Sequence, residues 1–184
     1  MNRLGQFILL ALLLSSPTLG QSFEEKLLKG ARSCLGDIYD AGYYGGGPPP
    51  RGRGACPEVV YYAMKAVNLD LQDLVDKDIM VNPGSYPNVR DRNIDYRWCP
   101  NLIVWFKRHS QKLPLNGDWK AGDIVLWSLL DDGVADHIGV VSNKKAGNVP
   151  LVIHNVGPRC TEDNSVDSWT ILENFRLGKR EDMG

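Results

Sequence analysis

The chain has 184 residues, 43% of them hydrophobic, and carries 21 Lys and Arg against 22 Asp and Glu. So even a balance gives no basic surface for nucleic acid. Only the N-terminal segment is an extended apolar run, which excludes a chain that crosses a bilayer several times.

Residues 1–20, "MNRLGQFILLALLLSSPTLG", place one cation, Arg3, before an apolar core from Phe7 to Leu14, then small residues ending at Gly20. That layout predicts a secretory signal peptide, too short for a stable membrane anchor. The protein is therefore expected to be exported, periplasmic or extracellular, with no membrane attachment after cleavage. The remaining 164 residues are enough for one well-cored domain, expected over 21–178, with "KREDMG" closing the chain as a flexible tail over 179–184.

Ser22 and Glu25 form a capping-box pattern that predicts a helix over "FEEKLLKGARSCLG", with Leu27, Leu28 and Ala31 facing inward. The run "YYGGGPPPRGRG" cannot be helical, and is read as a cleft rim or a surface loop. A second helix is expected from Pro57 to about Val67, and a third over "LDLQDLVDKDIM", stopped by Asn82-Pro83. An irregular stretch then leads to a fourth helix near "NLIVWFKRHSQK". After Pro114 the pattern changes: "DIVLWSL", "HIGVVS", "PLVIHNV" and "SWTILENFRL" read as strands between turn-formers. Helices followed by consecutive strands predict an α+β domain, an antiparallel sheet with helices packed on one face.

This order puts a thiol and two imidazoles where they can meet. Pro57 favours an extended Cys56, which predicts that Cys56 caps the second helix. A helix start lowers a thiol from ~8.5 toward the ~3.5–7.5 range, and its free N–H groups suit a developing oxyanion. Among the three histidines, His109 lies among charges and is expected on the surface, while His137 opens "HIGVVS" and His154 closes "LVIH". A four-residue hairpin loop at "KKAG" would set His137 opposite His154, and a one-residue slip would set it opposite Asn155. Either partner could orient His137 and leave its other nitrogen for Cys56.

Other candidates are weaker. "GGGPPPRGRG" lacks the Gly-Lys-Ser/Thr of a phosphate loop, and Asp123 reads as a turn-former before a strand. Trp105, Trp119 and Trp127 are expected in the core. A zinc set of Asp136, His137 and His154 lacks the usual ligand spacing, so no metal or other cofactor is expected. Of the other cysteines, Cys34, Cys99 and Cys160, two are expected to form a disulfide and one to remain free.

The motifs "YYGGG…GAC", "DWKAGDIVLW", "HIGVVS" and "VIHNVG" resemble the NlpC-type cell-wall cysteine peptidases of the papain-like superfamily. With "DLQDLV", "NIDYRWCPNL" and the late "ED…W.I…FR", the likeness from about Leu28 to Arg176 is closest to the exported bacterial family DUF1287. The resemblance implies a papain-like fold with Cys56 as nucleophile, His137 as base, His154 as its orienter and Tyr44, or the adjacent Tyr43, near the nucleophile. It implies a hydrolase that cuts amide bonds in peptidoglycan stem peptides. An acyltransferase on the same triad and a non-catalytic cell-wall binding module are the alternatives. Pro57-Glu58 stands where the superfamily usually has Thr-Asp.

Overall fold

The computed structural model describes residues 20–115 and 117–178; the expected signal peptide and C-terminal tail lie outside these residues, apart from Gly20. Four α-helices come first. Helix α1 (Phe23–Arg32) opens with the expected capping box: Glu25 N–H donates to Ser22 Oγ at 3.1 Å and Ser22 N–H to Glu25 Oε2 at 2.9 Å. Helix α2 spans Cys56–Lys65, with Ala55 rather than Cys56 as the extended cap residue. The expected start is thus one residue late, because Ala55 supplies the extended backbone and Cys56 already belongs to the first turn. Asp70 caps α3 (Leu71–Val81), which ends before Asn82-Pro83 as its sequence requires. Helix α4 (Cys99–His109) begins two residues before "NLIVWFKRHSQK", again with proline in its first turn.

Strands β1 (Ile38–Tyr39) and β2 (Arg53–Gly54) form a short parallel pair ahead of α2. The main sheet contains β3 (Gln111–Lys112), β4 (Ile124–Ser128), β5 (His137–Ala146), β6 (Val149–His154), β7 (Thr161–Asp163) and β8 (Thr170–Arg176). It is antiparallel, in the order β3-β8-β4-β5-β6-β7. The fold is therefore α+β, as the helices-then-strands order predicts.

Strand alternation divides the core between the two sheet faces. Ile124, Leu126, Ile138, Val140, Ile153 and Phe175 pack with the buried helix residues into one cluster. Val125, Trp127, Val141, Val152 and Val166 form a second cluster, with Trp119 and Trp169 partly buried against it. Trp105 also lies in the core, so the three expected core tryptophans are all packed against apolar neighbours.

The β5–β6 register differs from the expected one. The strands continue to Ala146↔Val149 and turn at Gly147-Asn148, where Gly147 has φ +62°, a conformation that favours glycine at the first turn position. An irregularity between Val141 and Lys145 then shifts the ladder, which passes through Val140↔Ile153. Extending that register sets His154 opposite Gly139 instead of His137, a two-residue offset that keeps both histidines on one face. Gly139 is needed there: a Cβ would lie 2.7 Å from Val152 and 3.1 Å from the Trp127 ring.

Candidate active site

Two helix starts and the segment leading into β5 surround a cavity of about 310 Å³, lined among others by Cys56, Cys99, Tyr39, Arg97, Val134 and Asp136. Cys56 is the first residue of α2 and Cys99 the first of α4, so both sulfurs stand at positive helix ends. The sulfurs are 3.8 Å apart and both side chains are buried. The Cys99 thiol is the largest influence lowering the Cys56 thiol well below its ordinary value. Burial opposes this, and the charge and hydrogen bond of His137 and the Ile138 backbone N–H reinforce it. Cys99 is pushed in the opposite direction, first by its hydrogen bond to Cys56 and then by burial. The two sulfurs are thus pushed in opposite directions, Cys56 toward thiolate and Cys99 toward thiol.

The hydrogen-bond inventory fixes where the imidazole protons sit. His137 Nε2 lies 2.8 Å from His154 Nδ1. His154 Nε2 lies 2.8 Å from Ser165 Oγ and 3.1 Å from Asp163 Oδ1. Ser165 has one O–H, which it donates to that same Asp163 oxygen. Ser165 therefore accepts from His154, so His154 Nε2 carries the proton. A neutral His154 then offers the Nδ1 lone pair, and His137 Nε2–H donates to it. This leaves Nδ1 of His137 for the thiol. Burial, followed by the charge of His137, holds His154 below the usual imidazole range, although Asp163 pulls the other way.

An aromatic wall holds this chain in place. Trp127 stacks on His137 with ring centroids 5.2 Å apart, and Trp169 meets both imidazoles edge-on. Trp127 is fixed in turn by its indole N–H, which donates to Val166 O at 2.8 Å.

The sequence candidates divide into two groups. Cys56, His137 and His154 come together, whereas Asn155 and Tyr44 do not join them. Asn155 is buried and donates to Gly54 O at 2.8 Å, tying the end of β6 to the strand before Cys56. Tyr44 gives its hydroxyl to Asp40, and Tyr43 gives its own to Asp91. Tyr39 is the tyrosine that lines the cavity, because the β1–β2 pairing carries the chain past the sulfurs before the glycine run. The Gly/Pro run itself contributes no residue to that lining.

His109 is not a solvated surface residue: it is half-buried, stacks on Trp105 and approaches Asp78 at 3.3 Å. The expected disulfide among Cys34, Cys99 and Cys160 is replaced by four free, buried thiols. Cys99 faces Cys56, and Cys34 donates to the Glu58 carbonyl at 3.9 Å. Glu58, at the position of the superfamily aspartate, is spent inside the fold. Its carboxylate accepts from Ala55 N–H at 2.7 Å and pairs with Arg97 at 2.6 Å. Among the described residues there is no group of three or more His, Cys, Asp or Glu placed to hold a metal.

Sequence reasoning missed Cys99, Asp163 and Ser165. The repeated Cys-Pro at two helix starts was the available signal for Cys99. Asp163 and Ser165 lie on and just after the three-residue strand β7, too short to show a period.

Residues 30–177 match the family described as domain of unknown function DUF1287. YijF of Escherichia coli (strain K12) is 41% identical over 162 residues, covering 80% of this chain and 78% of YijF. NlpC1 from Trichomonas vaginalis aligns with 84% of this chain at 16% identity and a TM-score of 0.51, and the chain spans 43% of that protein. An N-acetylmuramoyl-L-alanine amidase from Bacteroides uniformis aligns with 85% of this chain and 99% of its own length, at 13% identity and a TM-score of 0.51. At such identities these two structures establish the fold, which is NlpC-type and papain-like. The family match runs from the last turn of α1 to the residue after β8 and includes every residue of the site; the chain belongs to the DUF1287 family.

Proposed function

We propose that this protein is an exported cysteine hydrolase that cuts amide bonds in the stem peptides of peptidoglycan. The observation that carries the reading is the His137–His154–Asp163 hydrogen-bond chain beside a buried thiol that His137 helps to hold low. Export rests on the leader pattern of residues 1–20. Among the described residues, no helix is long and apolar enough to cross a membrane. The amidase of similar fold acts, by its name, on the amide between N-acetylmuramoyl and L-alanine, which supports peptidoglycan as the substrate class.

The Cys56 thiolate attacks the amide carbonyl carbon. Backbone N–H groups at the start of α2 stabilise the oxyanion of the tetrahedral intermediate. Protonated His137 gives its proton to the leaving amine, which departs and leaves a thioester on Cys56. His137 then takes a proton from water, whose oxygen attacks the thioester and releases the acid. His154 accepts from His137 Nε2–H in every step, so it must stay neutral, and its lowered value keeps it so at neutral pH.

Asp163 is a positioning residue in this scheme. In Asp163→Asn an amide N–H can face His154 Nε2 and favour the tautomer that donates from Nδ1 toward a donor on His137. The expected outcome is a kcat lower by ~10²–10⁴-fold with KM changed by less than about threefold. A purely structural role would instead lower thermal stability and leave kcat of the folded fraction intact. The function itself is tested by digesting purified peptidoglycan with wild type and Cys56→Ala and identifying the fragments by mass spectrometry. New amine and carboxyl ends at one stem bond support the reading, and an unchanged fragment pattern with active-site-intact protein contradicts it.

A further inference from the structure

Cys56 and Cys99 occupy equivalent places in two helices. Each is the first helical residue, each precedes a proline, and both line one cavity. Their sulfurs, 3.8 Å apart, must close by less than about 2 Å to reach disulfide length. Rotation of the two side chains can supply such a movement.

The two sulfurs also differ in the way that attacking and resolving thiols must differ. Cys56 is held toward thiolate by its neighbours, while Cys99 keeps its proton. Cys34 and Cys160 provide an internal contrast. Burial first, then Asp37, pushes the Cys34 thiol up to about 12, and burial first, then Cys34, pushes Cys160 upward. Neither belongs to the residues lining the cavity.

We propose that Cys56 and Cys99 form a reversible oxidative modification site, in which a hydroperoxide oxidises Cys56 and Cys99 seals it as a disulfide. The Cys56 thiolate attacks the terminal oxygen of the hydroperoxide. An S–O bond forms, the O–O bond breaks, and the departing alkoxide takes a proton to leave as an alcohol, or as water from hydrogen peroxide. Cys56 is then a sulfenic acid. The Cys99 sulfur attacks the Cys56 sulfur, the S–O bond breaks, and hydroxide combines with the Cys99 proton as water. The two sulfurs together lose two electrons, which the peroxide gains. A small dithiol reductant reverses the bond by two exchange steps and is itself oxidised.

Two consequences follow from the distance. A thiolate without a neighbouring thiol is exposed to further oxidation to sulfinic acid, which thiols do not reverse. With Cys99 beside it, the sulfenic acid is intercepted before that step. The disulfide also removes the attacking sulfur, so the oxidised protein is switched off; this last point rests on the hydrolase reading above.

The test treats reduced protein, freed of reductant, with about a threefold molar excess of hydrogen peroxide, enough for both oxidation steps of one sulfur, and maps its peptides without reduction by mass spectrometry. The expected product is a linked peptide pair carrying Cys56 and Cys99, lighter by two hydrogens. Iodoacetamide labelling of Cys56 should fall by ~tenfold or more and return fully with dithiothreitol. In Cys99→Ser, Cys56 should instead reach sulfinic acid and stay unlabelled after dithiothreitol. The proposal is overturned if wild-type Cys56 reaches sulfinic acid as readily as in Cys99→Ser. It is equally overturned if the linked pair is Cys34 with Cys160 while Cys56 and Cys99 remain free. Wild-type mapping decides the matter alone should Cys99→Ser fail to fold. Peptidoglycan digestion by the reduced protein separates the two ideas: linkage without digestion refutes the hydrolase reading only, and digestion undiminished by linkage refutes the switch.

Discussion

Cys56→Ala should release stem-peptide fragments at least ~10⁴-fold more slowly than wild type, with an unchanged far-ultraviolet circular dichroism spectrum. The magnitude follows from the role proposed for the sulfur. Without it there is no covalent intermediate, and the imidazole pair has no nucleophile to serve. The fold should survive, since the substitution removes one sulfur beside a cavity and leaves the helix cap at Ala55 untouched. His137→Ala should cost ~10²–10⁴-fold, the usual contribution of a positioned acid and base. The double variant should be little worse than Cys56→Ala alone, because the two residues act as one unit. A Cys56→Ala rate within ~tenfold of wild type would refute a covalent mechanism on this sulfur.

Arg97→Ala should cost about 3–5 kcal/mol of stability, a large part of the ~5–15 kcal/mol typical of a domain. The Arg97 and Glu58 side chains are only 4% and 2% exposed. The guanidinium also donates to the carbonyls of Asp40 and Gly42, pinning the cavity rim to the start of α2. Removing it strands the buried Glu58 carboxylate and breaks two further hydrogen bonds at the rim, and the stranded carboxylate accounts for most of the loss. Burial already pushes Glu58 above the ordinary carboxylate range despite Arg97 and the Ala55 N–H. Without Arg97 that value rises further, so the native state binds a proton more tightly than the unfolded chain. A group raised in the folded state contributes stability below its unfolded value and loses it as pH rises through its folded value. The Arg97→Ala deficit should therefore grow with increasing pH and shrink on acidification, and Glu58→Gln in the same chain should recover a large part of it. Urea unfolding at several pH values measures this. A deficit below about 1 kcal/mol, or one independent of pH, would show that the pair is solvated.

Much of this arrangement was legible in the sequence because it is set by local chemistry. The Ser22–Glu25 box, the Asn82-Pro83 stop and the proline-led α2 act within a turn or two, and each appears within a residue or two of its expected place. The expected four-residue loop at "KKAG" is not formed, and His137 and His154 share one face because the register shift is even. The register itself was not legible. It depends on a two-residue turn at Gly147 and an irregularity past Val141, neither of which alters the hydrophobic pattern. Long-range partners were hidden for a related reason. Cys99 meets Cys56 only because α3 and the segment after it return the chain to the start of α2, a path no spacing encodes. Tyr39 displaces Tyr44 from the cavity through a two-residue β-pairing, too short to leave a periodic trace. Asn155 and His154 are equal candidates for orienter in the sequence, and only the fold commits the Asn155 amide to Gly54 O.

The whole account depends on Cys56 being held toward thiolate by its neighbours. The rate of iodoacetamide labelling at Cys56, read by peptide mass spectrometry on reduced protein between pH 8 and pH 6, measures that state. The lowered thiol predicts a rate that falls far less steeply over this range than that of an ordinary thiol. A fall of roughly 10²-fold over the same range, the behaviour of a thiol titrating near ~8.5, would contradict it.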